Sequence, residues 1–165
     1  TPMVLAGKAL ADITRFIKGD RYRSRLISKI MFGAYNKRIK NVRTSNDWLT
    51  RDETVVDEYN AGKLTTFLFT INGYRGLMNM ILYVRKPRNI AKIPKNLPML
   101  MVSGLDDPVG EYGKGVYRAY NTYYGHIDDI DLRLFEDCRH ELCNELNKEE
   151  IYEEIYGWIV DHMNK

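Results

Sequence analysis

Two segments of this chain carry side chains that can move protons, and each follows an apolar run of strand-like composition. The first spans Gly104–Gly110 and includes Asp107, and the second spans Cys138–Glu141 and includes His140. A carboxylate after one strand and an imidazole after the next form the acid–base part of a Ser-His-Asp triad, in which the acid orients the imidazole and stabilises its protonated form. The spacing across one strand–helix–strand unit therefore predicts Asp107 and His140 as a catalytic pair.

Other residues near this pair have more ordinary interpretations. A lone aspartate after a strand is usually a turn former and a lone histidine is usually structural, so only the pairing favours catalysis. Asp106 is the competing acid, but adjacent side chains point in different directions, and we rank it second. Cys138 and Cys143 are too few for a disulfide scaffold or a closed zinc site, and no metal or organic cofactor is implied.

The nucleophile of such a triad has no counterpart in the sequence. No Gly-x-Ser-x-Gly pattern, which places a serine on a tight strand-to-helix turn, occurs in the 165 residues. Ser103 precedes Gly104 at the end of a strand-like run and lacks that context. The pattern therefore predicts an acid and a base without their serine.

Helical periodicity dominates the first half of the chain. It predicts helices over 8–18, 24–40, about 54–59 and 76–85, with a structured loop at 46–52 and a solvated linker at 86–97. Residues 64–71 are β-rich in composition but lie too near the next helix to predict a strand. The helix over 76–85 is expected to turn four apolar residues inward: Leu77, Met80, Ile81 and Val84.

An α/β pattern begins at Leu97. The run Leu97–Ser103 is typical of a strand buried on both faces of a parallel sheet, and Asp131–Phe135 is a second strand. A tyrosine-rich helix is predicted over 112–124, and Asn147 is expected to cap the last helix, with Glu150 three residues later. Strand–helix–strand–helix is typical of the end of an α/β sheet. The buried stripe of the last helix is expected to be Ile151, Ile155, Trp158, Ile159 and Met163.

Charge is divided unevenly along the chain. Residues 1–97 contain 19 Lys and Arg against 7 Asp and Glu, whereas residues 98–165 contain 6 against 15. Such a basic surface is expected to be solvated or to face the acidic half of its own fold, and anionic lipid or an anionic substrate is the second interpretation. No RNA-binding or zinc-finger signature favours nucleic acid as a partner. Apolar runs fall short of the ~20 residues of a membrane span, and the low cysteine content mildly favours a cytoplasmic location.

These segments together resemble a known family. The run Leu97–Gly110, then Gly113-Lys114-Gly115-Val116, then Arg139-His140-Glu141 with Asn144-Glu145, and finally Trp158, is similar to bacterial α/β-hydrolases of the lysophospholipase and monoacylglycerol-lipase-like group, also called serine aminopeptidase-like hydrolases. Asp47-Trp48-Leu49 with Arg51-Asp52, and Val56-Asp57-Glu58-Tyr59, resemble the cap-region signature of the same proteins. The likeness extends over nearly the whole chain and is strongest after Leu97.

The resemblance implies the C-terminal part of an α/β-hydrolase fold with an incomplete sheet. Residues 1–96 would form a mostly helical cap and linker, and 97–165 the last two parallel strands and their helices. Asp107 matches the family's triad acid and His140 its base. The family's nucleophile elbow and oxyanion loop lie upstream of the cap, so the chain resembles the second half of a longer hydrolase and is expected to be inactive alone. Its exposed sheet edge predicts self-association, domain swapping or pairing with the other half.

The implied substrates are carboxylic esters such as lysophospholipids or monoacylglycerols. One alternative is a non-catalytic domain that binds partners through its sheet edge, or docks peripherally on membranes through its basic cap. Another is a related acyl-transfer enzyme on the same scaffold, such as a peptidase, haloperoxidase-like enzyme or thioesterase.

Overall fold

A computed structural model of the protein describes residues 2–163. Seven α-helices and two strands follow each other along this part of the chain, together with short 3₁₀ turns at Tyr35–Arg38 and Leu142–Asn144. The elements are α1 Pro2–Lys18, α2 Arg25–Phe32, α3 Glu53–Ala61, α4 Ile71–Val84, α5 Pro87–Ile90, β1 Met99–Gly104, α6 Lys114–Tyr124, β2 Ile130–Phe135 and α7 Lys148–Met163.

The chain divides into two compact units. Unit 1 comprises Thr1–Ala34 and Thr66–Ile93, and unit 2 comprises Tyr35–Thr65 and Pro94–Lys165. This division differs from the sequence-based boundary at residue 96, because residues 35–65 belong with the elements that follow residue 94. The helix α3 and the loop before it are thus part of the unit that contains the strands.

Unit 1 is helical, and its core is built from α1, α2 and α4. The buried residues are Ala11, Ile27, Ile71, Tyr74 and Met78. Helix α1 approaches α4 closely because it presents small residues there: a Cβ on Gly7 would lie 3.0 Å from Cε of Met78.

The predicted helix boundaries in unit 1 are partly wrong. Helix α2 ends at Phe32 rather than continuing to 40, and the N–H of Gly33 donates to the Lys29 carbonyl at its C-cap. Helix α4 begins at Ile71 rather than 76, because the Thr70 hydroxyl accepts the N–H of Gly73 as an N-cap. The earlier start moves the buried face of α4 to Ile71, Tyr74 and Met78, whereas Met80 and Val84, predicted to face inward, are exposed.

Unit 2 contains a two-stranded parallel sheet. Strand β1 pairs with β2 in a register that joins Met99 to Ile130 and Gly104 to Phe135. Both strands agree with the predicted segments to within two residues. The expected burial of β1 on both faces is wrong for most of its length, because only Ser103 and Gly104 are buried and the preceding four residues are half-buried.

The helices of unit 2 also depart from prediction at their ends. Helix α6 begins at Lys114 rather than 112, since Glu111, Tyr112 and Gly113 all have positive φ. Of the residues of α7 that were predicted to be buried, Ile151 is fully buried, but Ile159 and Met163 are exposed.

Asn147 directly precedes α7, as predicted. Its Nδ2 donates to Glu150 at 3.3 Å, while its Oδ1 accepts a bond from the Arg51 guanidinium at 2.6 Å. The amide oxygen that was expected to cap the helix is therefore used by a residue from a distant loop. No helix among residues 2–163 combines the length and apolar character that crossing a membrane requires.

Among the glycines of unit 2, Gly104 at the end of β1 has the closest contact with other backbone atoms. A Cβ there would overlap the carbonyl oxygens of Cys138 and Arg139. We expect Gly104→Ala to lower the free energy of unfolding by about 3 kcal/mol, because backbone atoms cannot move aside without breaking the strand register.

The matched control is Gly157→Ala in α7, where a Cβ meets nothing within 4 Å. It should raise the free energy of unfolding by about 0.5–1 kcal/mol, because alanine has the higher helix propensity. Urea unfolding followed by circular dichroism measures both variants. Equal effects of the two substitutions would contradict the close approach at Gly104.

Candidate functional site

The two predicted active segments meet at the carboxyl ends of β1 and β2. The N–H of Leu105 donates to the Phe135 carbonyl, and the N–H of Asp106 donates to the Cys138 carbonyl, each at 2.9 Å. These bonds continue the sheet beyond its last residue pair. Because Gly104 has no side chain, the loop that carries His140 can cross directly over the end of β1.

Asp107 lies in the tight turn after β1 and is buried, with 6% of its surface exposed. Its Oδ1 accepts the N–H of Val109 at 2.7 Å, which fixes the carboxylate within the turn and leaves Oδ2 directed elsewhere. Gly110 makes room for it, because a Cβ at that position would lie 3.2 Å from Asp107 Oδ2 and 3.0 Å from Ser103 Oγ.

His140 is the partner of that second oxygen. Its Nδ1 lies 3.1 Å from Asp107 Oδ2, and 37% of its side chain is exposed. No hydrogen-bond partner for Nε2 is found within residues 2–163. The structure thus brings together the two residues that the sequence analysis singled out, with one ring nitrogen held and the other able to exchange a proton.

The carboxylate changes the acid–base behaviour of the ring. The hydrogen bond that Asp107 accepts from the ring raises the pKa of His140 above its ordinary value, against the opposing effect of partial burial. Because the folded-state pKa is raised, the stabilisation from this pair is complete below the unfolded pKa of about 6.5. It is lost as the pH rises through the folded-state value.

Two aromatic residues beside the pair were not predicted as site residues. The rings of Trp48 and His140 have centroids 5.1 Å apart, and Tyr35 meets Trp48 edge-on at 4.9 Å. Burial and the nearby charge of Asp107 raise the pKa of the Tyr35 hydroxyl, which keeps it protonated. Trp48 lies in the loop that the sequence analysis associated with the cap, but its spacing alone did not indicate contact with His140.

A buried carboxylate holds the His140 loop in place. Glu145 is fully buried, accepting the backbone N–H of Arg139 at 2.7 Å and the side-chain Nε–H of Arg51 at 2.9 Å. Arg51 also donates through its guanidinium to Asn147. Arg51 and Glu145 both lie in the motifs that carry the family resemblance, and the ion pair between them joins residues 94 positions apart.

Further bonds join the loop that carries Trp48 to the loop that carries His140. The guanidinium of Arg139 donates to the carbonyls of Asp47 and Thr50, at 2.7 and 2.9 Å. On the other side of His140, the N–H of Glu141 donates to the Leu49 carbonyl at 2.7 Å. Both chain neighbours of His140 are therefore anchored to the same loop, which also fixes Trp48 against the imidazole.

The competing candidates lie outside this arrangement. Asp106 is exposed, and no hydrogen bond between its carboxylate and His140 occurs in the described chain. The Ser103 hydroxyl donates to the Gly104 carbonyl at 3.3 Å. Cys138 and Cys143 are both free thiols, and burial raises the pKa of Cys138, which disfavours a thiolate.

One group of side chains has metal-ligand chemistry. Asp129, Asp131 and His162 each offer an atom within 4.8 Å of the others. Their atoms already have structural partners: the Trp158 indole donates to Asp131, and His162 lies 3.1 Å from Asp129 and bonds the Trp158 carbonyl through Nδ1. These contacts tie α7 to the start of β2, and we assign the group no metal.

Comparison with known proteins gives a family match over most of the chain. The profile of the serine aminopeptidase S33 family matches residues 2–147. The chain belongs to this family. No significant match is found among functionally curated protein sequences.

Solved structures place this family member within the α/β-hydrolase fold. A thermostable carboxyl esterase from Bacillus coagulans, solved with glycerol, has a TM-score of 0.83 and 21% identity, over 99% of this chain and 52% of that one. A lipase in its open form has a TM-score of 0.78 and 22% identity, over 94% of this chain and 49% of the lipase. A soluble variant of monoglyceride lipase from Saccharomyces cerevisiae has a TM-score of 0.56 and 17% identity, over 90% of this chain and 48% of that one. The chain thus spans about half the length of the structures it matches, and its two strands form part of the α/β-hydrolase sheet.

In this hydrolase-family chain, we expect Asp107→Asn to lower the pKa of His140. The substitution preserves the side-chain shape but removes the charge that stabilises the imidazolium. The measurement is an NMR titration of the His140 ring in the 165-residue chain. Asp106→Asn is the control and should leave the titration unchanged. If only Asp106→Asn lowered the pKa of His140, Asp106 rather than Asp107 would be the acid that pairs with the ring.

Glu145→Gln should lower the free energy of unfolding by about 3 kcal/mol. The substitution leaves the Arg51 guanidinium without its counter-charge, and the loss falls near the lower end of the range for broken buried pairs because 27% of the Arg51 side chain is exposed. Urea unfolding measures the change. The control is Glu111→Gln, which breaks an ion pair with both side chains 60% exposed, and should change stability by less than about 0.5 kcal/mol. Similar losses in both variants would contradict the anchoring role of Glu145.

Proposed function

We propose that this chain carries the acid and the base of a serine hydrolase that cleaves carboxylic esters. The observation that supports this most directly is the 3.1 Å contact between Asp107 and His140 at the carboxyl ends of adjacent parallel strands. In open α/β sheets this is where reacting groups collect. The family membership supports hydrolysis as the reaction class.

In the proposed reaction, His140 Nε2 accepts the proton of the attacking serine hydroxyl as its oxygen bonds to the ester carbonyl carbon. His140 then gives that proton to the departing alcohol as the ester C–O bond breaks, leaving an acyl-enzyme. A water molecule, deprotonated by the same nitrogen, releases the acid and restores the serine. Asp107 stays ionised throughout, accepts the Nδ1–H and stabilises the imidazolium.

We propose that the serine and the oxyanion hole come from polypeptide outside these 165 residues. Two observations support this: the sequence has no Gly-x-Ser-x-Gly turn, and the chain spans about half of each matched hydrolase. The described sheet has only two strands, so the edge of β1 that faces away from β2 offers unpaired backbone groups to a further strand. Pairing there would bring a nucleophile to the end of the sheet where His140 lies.

The substrates we propose are lysophospholipids, monoacylglycerols or similar acyl esters. Support comes from the names of the matched structures, an esterase with glycerol, a lipase and a monoglyceride lipase. Trp48 and Tyr35 add aromatic surface beside the imidazole, which suits an ester with an apolar acyl chain. The family description favours peptide cleavage as the alternative, and hydrolysis of acyl esters against aminoacyl anilides by the longer protein distinguishes the two.

A fluorophosphonate probe, which labels activated serines, tests the proposal. We expect intact-mass analysis to show no labelling of the 165-residue chain and stoichiometric labelling of a longer form that includes the nucleophile. In the longer form, His140→Ala should reduce the labelling rate by at least about a thousandfold, since the base is lost. His126→Ala is the control and should retain labelling.

Labelling of the short chain would mean that one of its own serines is activated, which contradicts the proposed division of the triad. Labelling of the longer form that survives His140→Ala would overturn the role of His140.

A further inference from the structure

Helix α1 has a second apolar face, opposite the one packed in the core of unit 1. Gly7 and Ala11 face α4. At 100° per residue, a different set of side chains projects on the far side. Its large apolar members and their exposed fractions are Leu5 51%, Ile13 60%, Phe16 93% and Ile17 67%.

Helix α2 repeats this arrangement. Ile27 enters the core at 3% exposure, whereas Leu26 and Ile30 are 64% and 58% exposed. The segment from Ile13 to Ile30 therefore offers five large apolar side chains outside the core. Scattered exposed apolar residues are ordinary in proteins, but five large ones within eighteen residues, on two helices that pack in the same core, indicate a binding surface.

Cations are interspersed among these apolar residues. From the last residue of α1 to the end of α2, five exposed basic residues form no ion pair with any described residue: Lys18, Arg21, Arg23, Arg25 and Lys29. The only acid between Ile13 and Ile30 is Asp20, which is paired with Arg15. We call these five cations and six apolar residues (Leu5, Ile13, Phe16, Ile17, Leu26 and Ile30) the α1–α2 face.

The charge of the whole unit follows the same pattern. The two segments of unit 1 contain 12 Lys and Arg against 2 Asp, a net charge of +10, and those of unit 2 contain 13 against 20, a net charge of −7. The positive potential is thus concentrated on the unit that bears the exposed apolar residues, rather than spread over the chain.

The mixture of apolar and unpaired basic side chains indicates what covers this face. Lysine is depleted in protein–protein interfaces, and burying unpaired cations of either type in the core of one is costly. The interfacial region of an anionic bilayer accommodates both types, because apolar side chains enter the acyl boundary while Lys and Arg extend to the phosphates. We propose that the α1–α2 face docks unit 1 on an anionic lipid bilayer. This proposal rests on unit 1 alone and does not depend on the hydrolase chemistry proposed for unit 2.

Vesicle co-sedimentation of the 165-residue chain tests the proposal. We expect binding to vesicles of phosphatidylcholine with 30% phosphatidylglycerol at low salt, weak binding to pure phosphatidylcholine, and release from the mixed vesicles at about 0.5 M salt, where charges are screened within about 4 Å. The readout needs no catalytic activity, so failure of the hydrolase proposal would leave this result unaffected.

Two pairs of matched variants assign the binding to the α1–α2 face. Phe16→Ser should weaken binding by at least about tenfold, whereas Tyr156→Ser, at a 69% exposed aromatic of unit 2, should not. Arg21→Gln with Arg25→Gln should also weaken binding by about tenfold and reduce its salt dependence. Lys63→Gln with Lys114→Gln, at exposed positions of unit 2, is its charge-matched control. Circular dichroism checks that every variant folds.

Several results would overturn the proposal. Equal binding to neutral and anionic vesicles would remove the role of the cations, and no binding by the folded chain would refute docking. A dimer in light scattering that Phe16→Ser converts to a monomer, with no vesicle binding, would assign the face to a second copy. If the 165-residue chain bound vesicles but a longer form of the protein did not, the α1–α2 face would be assigned to contact with the rest of that protein.

Discussion

One buried negative charge organises the candidate site. Glu145 has no exposed surface, and a carboxylate removed from water is stable only when its oxygens accept enough hydrogen bonds and face a counter-charge. The Arg139 backbone and the Arg51 side chain supply these requirements from two loops. Satisfying Glu145 therefore forces the two loops to fold against each other. The positions of His140 and Trp48 follow from that requirement.

The contact between Asp107 and His140 could be predicted from sequence because each of the two residues has a local signal. Asp107 follows a strand and is surrounded by the glycines and proline of a tight turn, and His140 follows the next strand. Parallel strands then bring their carboxyl ends together without further information. The Arg51–Glu145 pair has no such signal, because its partners are 94 residues apart and charged residues ordinarily lie at the surface. Only the folded chain shows that this glutamate is inside.

Helix existence was predicted better than helix orientation, for a physical reason. Periodicity places the large apolar residues of α1 on one face, and the usual expectation is that the larger face enters the core. The fully buried residue of α1 is instead Ala11, and Gly7 lies against Met78, because close approach there requires small residues. Similarly, the Thr70 cap starts α4 earlier than periodicity indicated and moves its buried face away from Met80 and Val84. Packing distance and capping decide which stripe is buried, and neither is visible in hydropathy.

The bonds that prepare the imidazole are all formed inside unit 2. The N–H of Val109 fixes the Asp107 carboxylate and Gly110 leaves room for it, and the neighbours of His140 on both sides bond to the loop that carries Trp48. The orientation of the ring is therefore established within this unit, and in the proposed hydrolysis reorganising the site would add little to the barrier. The proposed division of the triad is consistent with this organisation, since a separate segment of polypeptide that supplied a serine would need only to reach the Nε2 side of the ring.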